Sequence, residues 1–159
     1  MTQPDATDTP DSVDGPDSAE TTARLLRHRL ASGPLRLPVS GSSMRGTIAS
    51  GSEVELVAAT RPSRGEIWAF AATGDTVVVH RVRELAEGMV ICRGSGNPVD
   101  DPPLPLSRAV GRVRRAIPPE GSPRSFGRVD RHRAALAFRL RRLARRIRPR
   151  AGGPGTGAP

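Results

Sequence analysis

Between residues 35 and 117 the chain is cut into six short β-rich runs, and this segmentation limits the fold more than any other feature. The runs are LRLPVS (35–40), EVELVAA (53–59), EIWAFA (66–71), TVVVHRV (76–82), MVICR (89–93) and AVGRVRRAI (109–117). Turn signals fall between them at Gly51-Ser52, Pro62-Ser63, Gly74-Asp75, Glu87-Gly88 and Gly96-Asn97-Pro98. Short strands at this spacing leave no room for the crossover helices of a βαβ fold. They predict a mainly β domain, a compact barrel or sandwich. No internal repeat interrupts the pattern.

The flanks are of different character. Residues 1–20 carry six acids and no base, mixed with Pro, Thr and Ser, a composition that cannot bury enough surface to fold. The stretch ARLLRHRLA (23–31) suits a short helix with Leu25, Leu26 and Leu30 on one side, stopped at Gly33-Pro34. Near the other end, Val129, Leu136, Leu140, Leu143 and Ile147 recur at helical spacing opposite a face of arginines. The expected organisation is a disordered acidic tail (1–21), a β domain (22–120), a basic amphipathic helix (128–148) and a flexible tail (149–159). All 25 basic residues are arginine, against 16 acids, for a net charge of +9. No apolar run approaches the roughly 20 residues needed to cross a bilayer, and the acidic start is unlike a secretory signal. A soluble, cytoplasmic chain is expected. The one cysteine, Cys92, excludes an internal disulfide and any multi-cysteine zinc site. It reads as core packing, and His28 and His132 as surface residues.

Three features hold chemistry. Gly41-Ser42-Ser43-Met44 forms a small-residue turn just after a strand. His80 lies within the strongest strand and shares a face with Val78 and Val82, because side chains alternate with period two. Asp100 and Asp101 follow the tight turn at Asn97-Pro98. Each alone has an ordinary structural reading: a turn serine, a packed histidine, a solvated acid pair.

In order and spacing, however, GSSMRGTI (41–48), RGEIWAF (64–70), VVVHRV (77–82) and RGSGNPVDD (93–101) resemble the type I signal peptidase family of serine endopeptidases. AVGRV (109–113) resembles the closing strand of that fold, so the likeness spans 36–117, about half the chain. Most bacterial members use a lysine base, and this chain has no lysine. His80-Arg81 instead resembles the branch with a histidine base. The resemblance implies a signal-peptidase-like β-barrel or sandwich. It implies a triad of Ser43, His80 and Asp101, with Asp100 as the adjacent alternative acid.

The residue types suit that reaction. A serine hydroxyl needs an adjacent base, and an imidazole exchanges protons near neutral pH. An aspartate would orient the imidazole and stabilise its charged form. The Ser43 N–H and the Ser42 hydroxyl are the candidate oxyanion donors. Met44 and Ile48 would line the shelf on which a peptide docks, adding as a strand beside residues 35–40. No metal or organic cofactor is implied.

The sequence departs from the family pattern at several positions. Gly46 stands in place of a proline, Ser52, Glu66 and Ser95 in place of aspartates, and Gly96 in place of an asparagine. Where the family has a membrane helix ahead of the nucleophile, an acidic tail and a short arginine-bearing helix are expected here. A precursor or leader peptide is therefore the expected partner. The departures at Gly46 and Ser95 equally suit a non-catalytic peptide-binding or regulatory module of the same fold. Self-cleavage, as in the autoproteolytic repressors that share this fold, lacks its lysine and its DNA-binding domain. The ten arginines between 128 and 150 suit packing on the β domain, peripheral contact with an anionic inner-membrane surface, or an adaptor role. Nucleic-acid contact is disfavoured, since no aromatics interleave them for base stacking.

Overall fold

The computed structural model of the chain describes residues 18–73 and 76–127. Helix α1 (Ser18–Ala31) precedes β1 (Leu35–Pro38), β2 (Glu53–Val57), β3 (Ile67–Ala71), β4 (Val77–Ala86) and β5 (Met89–Arg93). Then come β6 (Leu104–Pro105), a single 3-10 turn at Leu106–Arg108, β7 (Ala109–Ile117) and β8 (Arg124–Ser125). The eight strands form one sheet in the order β1-β2-β7-β3-β4-β5-β6, with β8 added to β7. All pairings are antiparallel. The mainly β expectation holds.

The barrel-or-sandwich alternative resolves into one open sheet whose ends are β1 and β6. The register slips at Glu55/Leu56, Ala69/Phe70 and Val82/Glu84. Each bulge bends its strand and increases the local twist, and the sheet curls into half a barrel. β3 lies at its centre, between β4 and β7, and all five of its residues are buried. Ile67, Ala69 and Ala71 face one hydrophobic cluster, which holds Met44, Ile48, Leu56, Val110 and the inner side of α1. Trp68 and Phe70 face a second, with Val82, Val90 and Cys92. Burial of side chains such as Ile67 and Phe70 stabilises the fold by about 1.5–3 kcal/mol each.

α1 begins at Ser18, five residues earlier than the leucine pattern suggests. Small residues are the reason: Ala19 and Ala23 are wholly buried and let the helix lie close on the sheet. The buried stripe is Ala19, Ala23, Leu26 and Leu30, while Leu25 is 63% exposed rather than on the inner side. Arg27 donates to the carbonyls of Ser107 and Ala109 at 2.6 Å each, and Ser107 Oγ donates to Glu20 at 2.5 Å. These bonds fasten α1 to the start of β7.

The strands at 89–93 and 109–117 have the expected limits. β4 runs on to Ala86, beyond the expected 82, because the bulge at Arg83 lets the strand continue out of phase. Expectations for residues 1–17, 128–148 and 149–159 lie outside the described residues. Among the described residues, no helix is long and apolar enough to cross a membrane.

Candidate active site

Beyond β1, the segment from Val39 to Ser52 closes on itself. Val39 N–H donates to Ser52 O at 2.8 Å, and Gly51 N–H returns to Val39 O at 2.8 Å. Inside the loop the backbone coils tightly, with Thr47 and Ile48 N–H both donating to Met44 O at 2.9 Å. Met44 and Ile48 are 2% and 3% exposed and pin the loop into the core. Gly46 has φ +83. Proline is locked near −65°, so this turn differs in conformation from one built on proline.

Ser43 emerges from that loop half-buried. Its Oγ lies 3.0 Å from His80 Nε2 on β4, and His80 Nδ1 lies 2.5 Å from Asp101 Oδ2. The Trp68–His80 pairing between β3 and β4 sets the imidazole on the Val78/Val82 face. With Asp101 ionised, Nδ1–H donates to the carboxylate, which leaves the Nε2 lone pair to accept the Ser43 hydroxyl proton. The His80 and Asp101 side chains are 12% and 23% exposed, so the array lies at the surface but is shielded.

The sequence leaves open which acid faces the histidine. In the structure it is Asp101, whose backbone N–H donates to Cys92 O at 2.8 Å and thereby fixes the turn beside β5. Asp100 turns away to Arg83 and Arg93, 3.5 Å from each. Nothing in the sequence pattern points to either arginine. Arg83 sits at the β4 bulge, where the period-two rule fails.

Two glycines set the Ser43 backbone. A Cβ on Gly94 would lie 2.3 Å from Ser43 O, and one on Gly96 would lie 2.8 Å from Ser42 O. Their absence lets the 94–97 turn back directly onto the Ser43 loop, and Gly96 N–H donates to Ser43 O at 2.7 Å. Ser95 does not reach His80. Its hydroxyl accepts from Thr47 Oγ1 at 2.8 Å and its N–H approaches Met44 Sδ at 3.5 Å, which joins the same two turns. Glu66 accepts from Ser63 N–H and from the Trp68 indole at 3.0 and 2.9 Å, so it too holds a turn.

The other expected residues are distributed as follows. Met44 lies in the core beneath the loop, and Ile48 lies partly there and partly along a groove that Ser42 also lines. Neither the Ser43 N–H nor the Ser42 hydroxyl has a hydrogen-bond partner among the described residues. Cys92 is buried, and burial followed by the nearby Asp101 charge pushes its thiol up to about 12. Among the described residues no three of His, Cys, Asp and Glu cluster as a metal site. No protein-family model matches the chain, and no curated protein matches it.

Proposed function

We propose that the chain is a signal-peptidase-like serine endopeptidase that cleaves a peptide bond in a precursor or leader peptide. The unbroken Ser43–His80–Asp101 hydrogen-bond chain carries this reading. Ser43 Oγ attacks the scissile carbonyl carbon as its proton passes to His80 Nε2. Asp101 stabilises the resulting imidazolium. The Ser43 N–H and the Ser42 hydroxyl are the candidate donors to the oxyanion, and neither has a partner among the described residues. Collapse breaks the C–N bond, and Nε2–H gives its proton to the leaving amine. Water, deprotonated by the same imidazole, hydrolyses the acyl-serine and restores Ser43. Among the described residues β1 is an end strand, and it runs straight into the Ser43 loop, so its outer edge would offer main-chain groups to an extended substrate.

A second reading keeps the peptide-binding groove without turnover. It is favoured by Ser95, which holds Thr47 where the resembled family has an aspartate. Cleavage of a mixed peptide library, followed by mass spectrometry, separates the two. The peptidase reading expects products that vanish with Ser43→Ala and with His80→Ala. Binding to the library without any Ser43-dependent product would favour the second reading.

A further inference from the structure

On the side of the nucleophile loop nearest the end of β7 lies a groove of about 530 Å3. Neither Ser43 nor His80 lines it, but Gly41 and Ser42, the residues just before the nucleophile, do. A volume of this order belongs to sites that hold a ligand of several groups, rather than one small side chain. Ile48, Ala49, Ala116 and Pro118 make its apolar surface.

Two independent observations give the groove its chemistry. Ser52 lines it and is 1% exposed, yet its hydroxyl has no hydrogen-bond partner among the described residues. An unpaired buried hydroxyl is costly, and a ligand carrying amide groups would satisfy it. The second is charge. No acid lines the groove, whereas Arg45 and Arg124 both do, and both are exposed. Arg45 has no ion-pair partner among the described residues. Arg124 holds its guanidinium 5.6 Å over the Phe126 ring, which fixes its position beside the groove.

We propose that this groove selects acidic peptide segments, taking an aliphatic side chain against Ile48 and Pro118 with a flanking carboxylate on Arg45. Ser52 hydrogen-bonds the peptide backbone between them. The inference rests on the peptidase reading, because the groove then reads substrate a residue or two from the bond that Ser43 attacks. It makes the substrate an acidic, aliphatic precursor segment rather than one of small neutral residues.

The test uses the full chain as Ser43→Ala and two fluorescein-labelled octapeptides with a central leucine. One carries Asp and Glu beside the leucine, the other Asn and Gln. Anisotropy titrations at low salt are expected to show the acidic peptide bound about fivefold more tightly. Arg45→Glu should remove that preference. Ala49→Trp, which fills the groove from an exposed position, should weaken both peptides. Equal affinity for the two peptides, or a preference that survives Arg45→Glu, overturns the proposal. Equal displacement by an oligonucleotide of the same charge does so as well. Cleavage by the unmodified chain is scored separately. Acid-selective binding without cleavage leaves the groove standing and removes the peptidase, while cleavage indifferent to flanking acids does the reverse.

Discussion

At the scale of single residues, the candidate site turns on one carboxylate. Asp101 holds the His80 ring nitrogen that would otherwise compete to accept a proton, whereas Asp100 serves two arginines. Asp101→Asn presents an amide that can donate to Nδ1 and favours the wrong tautomer. Peptide hydrolysis should then fall by about 10²–10⁴-fold. Asp100→Asn loses only partly exposed ion pairs and should change the rate by less than about tenfold. Steady-state kinetics of the two variants on one substrate checks the contrast, and equal losses would contradict it. The residues at 43, 80 and 100–101 stand out in the sequence only through their resemblance to a family's motifs, since each alone has an ordinary structural reading. The choice between the two acids is not legible there. Alternation tells neighbours apart on a regular strand, but these acids sit in an irregular turn fixed by the Asp101–Cys92 backbone bond.

Among elements, the turn at 94–97 matters most, because it supports Ser43 from behind. Gly94→Ala puts a methyl group into the Ser43 carbonyl, which is backbone and cannot swing aside. Stability should fall by about 1–3 kcal/mol, and the displaced hydroxyl should lower turnover by about 10²-fold. Gly127→Ala, with no described residue near its Cβ, is the control for both measurements. β2 and β7 contain the other telling contact. Burial would raise the Glu55 carboxyl, but hydrogen bonds and charge from Arg114 and Arg115 outweigh it and hold the group below the usual carboxylate range. A depressed folded value means that Glu55 stabilises the fold above its unfolded value, near 4.3. That stability is lost as pH falls through the lower folded value. Glu55→Gln should therefore cost about 1–3 kcal/mol at neutral pH, with the difference from the unmodified chain shrinking in acid. Urea titrations at both pH values read this directly. The long strands showed in the sequence through their apolar alternation. β6 and β8 did not, since two-residue strands have no period to detect.

For the whole molecule, the described residues make one curled sheet with a helix against it, and the candidate site is assembled from three separate stretches. Ser43 comes from the loop after β1, His80 from β4, and Asp101 from the turn after β5, the nucleophile, base and acid of the proposed peptidase. The β class was readable from the runs and turns alone. The curl was not, because it arises from bulges at Glu55/Leu56, Ala69/Phe70 and Val82/Glu84, where each strand still looks regular in sequence. The buried alanines of α1 were equally hard to see, as alanine does not stand out as an apolar stripe. In the proposed peptidase, reactivity at Ser43 would depend on all three stretches being in place, so it would report on fold and chemistry together. The most direct measurement is the reaction of the folded chain with a peptidyl phosphonate, followed by intact mass and mapping of the adduct. One adduct is expected, on Ser43, and it should be lost with His80→Ala and in urea. No adduct between about pH 6 and 9, or one that forms equally fast without His80, would contradict the peptidase reading.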